Sequence, residues 1–176
     1  MKFHNLVLIF LVLVLFACST ADTKNEGTAT SKTPHPAVYL DATYQIRKTS
    51  NVLYGEGLSH TDWGSSETTI HSLYLDVYQP QDAAGKRPAI ILIHGGGYRQ
   101  GNRMHEPIQQ AAGFFAARGW VAITIDYRLA GHFGTVPEEW RSYISTEYPA
   151  QSYDQGLAIY PASRDAKAAV RWVYAN

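Results

Sequence analysis

A five-residue run that is apolar at every position, residues 89–93, is the feature that most constrains the fold of this chain. A strand with one exposed face alternates polar and apolar residues, so a run without alternation indicates burial on both faces. Three glycines at 95–97 follow directly, then a helical pattern over 106–118 and a second apolar strand over 120–126. Strand, helix and strand in this order predict a right-handed parallel crossover in a sheet that helices cover.

The segments on either side of this unit have different patterns. Residues 69–78 alternate with a period of two, which predicts a half-buried strand, and residues 43–57 predict one or two further strands. We expect these N-terminal strands to be antiparallel and to lead into a mostly parallel sheet flanked by helices. A long segment, 127–160, follows the second apolar strand, and a last helix is predicted over 163–176. The fold class is therefore α/β.

The N-terminus has the pattern of an export signal. Lys2 and the apolar run 6–16 fit its charged and hydrophobic regions, and the run is short for a membrane span. Ala17 and Cys18 resemble the end of a bacterial lipobox, in which the cysteine is acylated. We therefore interpret residues 1–17 as a lipoprotein signal peptide; an ordinary secretory signal cleaved close by is the alternative.

Residues 18–37 contain almost no large apolar side chain, so they predict a flexible tether. The folded domain then comprises residues 38–176. This organisation predicts an exported protein of the bacterial cell envelope, lipid-anchored to a membrane and located on the outer membrane or on a periplasmic or cell-surface face.

Composition excludes several partners and cofactors. The 15 Lys and Arg balance the 15 Asp and Glu, so no basic surface is expected to attract nucleic acid. The seven His do not stand at the short intervals of a zinc site, and the single Cys excludes an intramolecular disulfide or a cysteine-based metal cluster. We expect neither a metal nor a cofactor.

Two nucleotide-binding interpretations of the glycines fit poorly. Gly96 and Gly101 have the spacing of a P-loop, but Asn102 and Arg103 replace its lysine and hydroxyl residue. A dinucleotide-binding fingerprint lacks its third glycine because Gln100 stands there.

The sequence H-G-G-G-Y from position 94 fits the oxyanion loop of lipases and esterases better. Backbone N–H groups must approach the charged oxygen of a tetrahedral intermediate, and residues without Cβ allow that approach. Gly96 and Gly97 are the expected main donors of an oxyanion hole, Gly95 allows the turn, and His94 braces the loop without acting as catalytic base. Tyr98 is a candidate wall of the substrate pocket. A glycine turn with a purely structural role is the alternative.

Residues 73–176 resemble the carboxylesterase and hormone-sensitive-lipase-like branch of the α/β-hydrolase superfamily. Four segments support the resemblance in the family's order: L-D-V-Y-Q-P at 75–80, H-G-G-G at 94–97, D-Y-R-L at 126–129 and D-A-K-A-A-V-R-W-V at 165–173. The resemblance implies the N-terminal part of an α/β-hydrolase fold.

The resemblance also implies roles for single residues. Asp126 and Arg128 would support the oxyanion loop through hydrogen bonds. Asp165 would begin the last helix, where the helix dipole favours a carboxylate. The sequence departs from the family pattern after Leu129. The long aromatic insertion that follows, within the segment 127–160, fits a lid or substrate wall as well as a decorated surface loop.

The implied activity is serine hydrolysis of a small-molecule carboxylic ester. The nucleophile motif G-x-S-x-G is absent from the sequence, and in the superfamily the serine, acid and histidine all come later in the chain. We therefore expect the N-terminal portion of a longer enzyme, truncated before the nucleophile strand and inactive alone, with residues 90–93 as an open sheet edge. A non-catalytic cell-surface binding lipoprotein with this fold and a same-fold peptidase are the alternatives.

Overall fold

The computed structural model describes residues 13–15 and 38–176. The predicted lipidation site Cys18, the predicted tether before residue 38 and all of the predicted signal peptide except 13–15 lie outside these residues. Within the described part, no helix has both the length and the apolar character needed to cross a bilayer.

One mixed sheet forms the centre of the domain. Its strand order is β1-β4-β5-β3-β2, in which β4 and β5 are parallel and the other neighbours are antiparallel. The strands are β1 (Leu13–Leu15), β2 (Ile46–His60), β3 (Thr68–Pro80), β4 (Ala89–Ile93) and β5 (Val121–Ile125). The antiparallel N-terminal hairpin beside a parallel β4–β5 pair confirms the predicted α/β class.

Helices pack on both faces of the sheet. α1 (Glu106–Ala116) and α3 (Tyr153–Ala175) contact the strands, and α2 (Glu138–Glu147) packs against α3. Short 3-10 turns lie at Ala130–His132 and Ala150–Ser152. Ile90 and Leu92 of β4 are buried with α1, whereas Ile91 between them is buried with α3. This division explains why β4 is apolar at every position. Each such buried side chain contributes about 1.5–3 kcal/mol to stability.

The hairpin of β2 and β3 is much longer than the central strands. It pairs from Ile46 opposite Pro80 to His60 opposite Thr68, with irregularities after Thr49 and Leu53. Its far end is fixed by Arg128, whose Nη1 donates to the Leu58 carbonyl at 2.8 Å. The segment predicted as one or two strands is therefore a single bent strand.

Two predictions about element boundaries are wrong. The last helix begins at Tyr153 instead of Ser163 and passes through Pro161. The edge of β4 is not open among the described residues, because Leu13–Leu15 pairs with it in antiparallel register. These three residues belong to the predicted signal peptide, so cleavage before Cys18 would open this edge. An edge strand offers unpaired N–H and C=O groups to any extended segment, which is the physical basis of this pairing.

Candidate active site

The glycine loop, residues 94–101, leaves the sheet at the carboxyl end of β4, and its glycines at 95–97 are exposed. Gly96 and Gly97 have φ values of +115° and +61°, and Tyr98 follows at +60°. A Cβ on Gly96 would overlap the carbonyl oxygen of Gln100. The glycine at position 96 is therefore required by both backbone conformation and space.

Three successive carbonyl groups of the loop accept hydrogen bonds, two of them from within the loop and one from outside it. The Gly95 oxygen accepts a hydrogen bond from His94 Nδ1 at 2.7 Å. The Gly96 oxygen accepts from the amides of Arg99 at 3.1 Å and Gln100 at 3.3 Å. The Gly97 oxygen accepts from Gln155 Nε2 at 2.8 Å. All three carbonyl groups therefore have bonding partners within the domain.

The amide of each of these peptide units points away from its own carbonyl. In a trans peptide the C=O of one residue and the N–H of the next point in opposite directions, and the described chain has no cis peptide bond. The N–H groups of Gly96, Gly97 and Tyr98 therefore point away from the bonded carbonyls. Within residues 38–176, neither these amides nor that of Gly95 donates to a protein acceptor. The loop presents a row of open donors.

His94 is buried beneath the loop. Its ring stacks on Tyr127 with centroids 4.3 Å apart, and the Tyr127 hydroxyl donates to the His94 carbonyl at 2.8 Å. Burial lowers the pKa of His94, so the imidazole is neutral at pH 7. Its bond to the Gly95 oxygen assigns the proton to Nδ1 and leaves Nε2 as an acceptor, without a partner among the described residues.

Asp126 connects to the loop through a residue that sequence reasoning missed. Its carboxylate accepts from the Arg103 amide at 2.8 Å and forms an ion pair with the Arg103 guanidinium. Arg103 Nε also donates to Asp76 at 2.9 Å, and Nη2 donates to the Asn51 side chain. We call these residues the Arg103 cluster: Arg103, Asp126, Asp76 and Asn51. In the sequence, Arg103 counted only as a mismatch to the P-loop.

The Arg103 cluster sets the charge state of Asp76. Burial alone would raise the pKa of this carboxyl, but bonds from the Asn51 amide and from the Arg103 and Lys48 side chains outweigh burial and lower the pKa. Asp76 is therefore ionised, and its charge is matched by two cations at hydrogen-bond distance.

Arg128 makes its hydrogen bonds away from the glycine loop, which differs from the support role expected of it. Its Nε and Nη2 donate to Asp165 at 2.9 and 2.7 Å, and its backbone amide donates to the same carboxylate at 2.9 Å. Asp165 is buried in the middle of α3, so its prediction as a helix-start residue is wrong. We call Arg128, Asp165 and the Leu58 carbonyl the Arg128 cluster.

A pair of histidines packs beside the Arg128 cluster. The rings of His71 and His132 are tilted with centroids 4.1 Å apart, and Leu129 N–H donates to His132 Nδ1 at 2.9 Å. Burial and the positive charge of Arg128 lower the pKa of His71, while burial, His71 and Arg128 lower that of His132. Over the described residues, no three metal-ligating side chains come together.

The segment 127–160 packs directly against the glycine loop. The Ala130 amide donates to the Tyr98 carbonyl at 2.7 Å, and Arg99 Nη2 donates to the Gln151 carbonyl at 2.6 Å. The Tyr98 ring is partly exposed and lies edge-on to Tyr127, with centroids 6.1 Å apart. A non-glycine residue in the left-handed region costs about 1–2 kcal/mol, so the Tyr98 conformation needs such support.

Comparisons with known proteins place this architecture in a family. The chain matches no curated protein. It is similar to brefeldin A esterase, a bacterial homologue of human hormone-sensitive lipase, with 19% identity and a TM-score of 0.42 over 79% of this chain and 30% of that chain. It is also similar to a hypothetical protein from Pseudomonas aeruginosa, with 21% identity and a TM-score of 0.29 over 60% of this chain and 27% of that chain.

The chain spans less than a third of the length of either solved protein. The family model BD-FAE matches residues 75–176, which form more than half of the chain. This matched region contains the glycine loop, Arg103, Asp126 and the Arg128–Asp165 pair. The chain belongs to the BD-FAE family, an α/β-hydrolase-like family.

Proposed function

We propose that this chain is the N-terminal portion of a serine hydrolase of carboxylic esters, in which the glycine loop supplies donors of the oxyanion hole. The row of open amides at Gly96, Gly97 and Tyr98 is the observation that carries the proposal. Membership of an α/β-hydrolase-like family supports it.

The chemistry gives these donors a defined task. When a serine hydroxyl adds to an ester carbonyl, its O–H proton passes to a general base, a C–O bond forms and the π electrons of the carbonyl move onto its oxygen. Backbone N–H groups already aimed at that position stabilise the new charge without reorganisation. Loss of one donor of this kind typically costs about 2.7–4 kcal/mol of transition-state stabilisation.

The neutral His94 has a supporting role in this proposal. Its Nδ1 proton is committed to the Gly95 carbonyl, and its ring is buried against Tyr127. A general base must reach the proton that it removes from the nucleophile. His94 therefore orients the first peptide of the loop, and Asp126 holds the segment after the loop through Arg103.

Nucleophile, acid and catalytic histidine belong, in this proposal, to residues beyond position 176. The isolated chain is accordingly inactive. Its substrate class is a small-molecule ester, with Tyr98 as one wall of the pocket.

We further propose that Cys18 is lipidated and anchors the exported protein to a membrane. We expect a Cys18→Ser variant to be released from the membrane fraction, and its retention there would contradict the anchor.

An assay of the complete gene product tests the catalytic proposal. We expect it to hydrolyse p-nitrophenyl acetate and to be inactivated by a serine-directed organophosphonate, while the 176-residue chain shows neither turnover nor labelling. Turnover by the 176-residue chain would contradict the proposal. Cleavage of amides alone would identify a peptidase, and the absence of any turnover would favour a binding lipoprotein.

A further inference from the structure

We propose that Gln155, in the first turn of α3, is a positioning residue that fixes the Gly97–Tyr98 peptide of the glycine loop. Its Nε2 donates to the Gly97 carbonyl at 2.8 Å. This inference rests on the proposed function, because it names a residue outside the loop that sets the direction of the loop's donors.

The strained conformation of Tyr98 shows why this peptide needs an external partner. Its φ of +60° lies in the left-handed region, which a tyrosine leaves readily unless its surroundings prevent this. The carbonyl groups on both sides of Tyr98 φ are bound by the segment 127–160: that of Gly97 by Gln155 and that of Tyr98 by the Ala130 amide. Loss of the Gln155 bond would let the Gly97–Tyr98 peptide rotate and would redirect its N–H.

Gln155 lies on a helix that is itself held in place by buried contacts, so it can restrain the loop. It belongs to α3, whose middle is fixed to the end of β5 by the buried Arg128–Asp165 pair. The side chain also approaches the loop closely, because a Cβ on Gly97 would lie only 2.9 Å from Gln155 Nε2. The glycine at position 97 thus allows this contact as well as the positive φ.

This contact gives the segment 127–160 a specific role. The sequence left open whether the segment forms a lid or a decorated surface loop. Through Ala130, Gln151 and Gln155 it binds three neighbouring residues of the glycine loop. The segment therefore supports the part of the loop that carries the donors, and the Gln155 side chain is its contact to the backbone carbonyl of Gly97.

Kinetics of the complete gene product test the positioning role. Gln155→Met keeps the length of the side chain and removes its donor. We expect kcat for p-nitrophenyl acetate to fall roughly 10- to 100-fold, with KM within about twofold, because a misdirected donor affects the transition state more than the bound ester. Gln110→Met is the matched control, since in the described part of the chain the Gln110 side chain bonds only the Glu106 side chain on α1.

Thermal unfolding separates positioning from a general loss of structure. The midpoint of Gln155→Met should stay within about 2 °C of the parent, because the side chain is only half-buried. An unchanged kcat would overturn the inference. A kcat that falls together with the midpoint would also overturn it, since the residue would then serve stability.

A readout independent of ester hydrolysis is the backbone ¹⁵N relaxation of Gly97 and Tyr98. In the parent we expect order parameters of about 0.85, and in Gln155→Met values below about 0.6, with no change in Gln110→Met. Unchanged order would overturn the inference whatever the enzyme does. If the parent protein has no esterase activity but Gln155→Met still loses backbone order at Gly97 and Tyr98, the proposed function is wrong and the positioning role of Gln155 stands.

Discussion

The glycine loop leaves backbone amides exposed, whereas the scaffold behind it, formed by the Arg103 and Arg128 clusters, binds its buried polar groups within the protein. In the loop, exposed amides have no protein acceptor among the described residues, and the backbone is held at positive φ. In the scaffold, Arg103 and Arg128 are buried, and each donates from its amide, its Nε and both terminal nitrogens. An unpaired buried polar group costs about 1–3 kcal/mol, whereas an exposed amide remains available to water or substrate.

This contrast separates two kinds of residue. Substitutions in the two arginine clusters should act mainly on the free energy of unfolding, because they leave buried charges without partners. Substitutions in the glycine loop should act mainly on catalysis by the complete protein. The following predictions run from the largest expected effect on stability to the smallest.

Arg128→Met should destabilise the protein by about 3–5 kcal/mol, because Asp165 would remain buried without its counter-ion. Urea denaturation followed by circular dichroism measures this effect. Arg164→Met is the matched control on the same helix. Arg164 is exposed, and among the described residues its side chain contacts Tyr160 alone, through a long 3.5 Å hydrogen bond to the hydroxyl and an approach to the ring. Its loss should therefore change stability by less than about 0.5 kcal/mol.

A double variant isolates the unpaired charge. Arg128→Met combined with Asp165→Leu should be more stable than Arg128→Met alone, since no buried carboxylate remains. Equal stability of the single variant and the Arg164→Met control would show that the Arg128 cluster does not hold the scaffold together.

Gly96→Ala should cost about 1–3 kcal/mol of stability, because a Cβ at φ +115° would overlap the Gln100 carbonyl. The displaced loop should also lower kcat of the complete gene product at least about 100-fold for p-nitrophenyl acetate. Gly131→Ala is the control, since a Cβ there meets nothing within 4 Å and φ is not positive. If Gly96→Ala loses stability but retains kcat, the loop does not act mainly on catalysis, and the proposed difference from the arginine clusters is wrong.

The histidine pair should give the smallest effect, a loss of stability on acidification. The pKa values of His71 and His132 are lowered in the folded protein, so the unfolded chain binds protons more readily. Stability should be full above the unfolded histidine value of about 6.5 and should fall as pH drops below it. Thermal midpoints at pH 7.5 and 5.5 measure this loss.

His71→Phe keeps an aromatic ring against His132 and removes one titrating group. We expect a smaller loss between the two pH values in this variant than in the parent. Identical losses would show that the pair does not contribute. The lowered pKa of Asp76 adds a separate loss that begins only below the unfolded aspartate value of about 3.9, which is well below this window.

The parts of the fold that were predicted correctly are those with local signals. The apolar runs of β4 and β5 and the periodic pattern of α1 each report burial within a few residues. The glycines after β4 likewise indicate a tight loop because positive φ is a local requirement. These signals were sufficient for the α/β class and for the position of the loop.

The parts that were missed depend on residues far apart in the sequence. Arg103 and Gln155 become important through partners 23 and 58 positions away. Pro161 and Gly156 are poor helix formers, so the start of α3 was hidden. In the structure, Gly156 lets α3 pack closely against Ile144, and Gly134 leaves room for Pro161. Interactions of this kind appear only when the tertiary structure brings the partners together.

The anchored tip of the β2–β3 hairpin has a consequence for the order of folding. The hairpin joins neighbouring segments and can form within about 1–10 μs, whereas the bond between Leu58 and Arg128 closes a span of 70 residues. Closure of that span carries a larger entropic cost and requires β5 and α3 to be in place. During folding, the Arg128 cluster can therefore form only after α3 is available, and the hairpin tip remains accessible to proteases and chaperones until then.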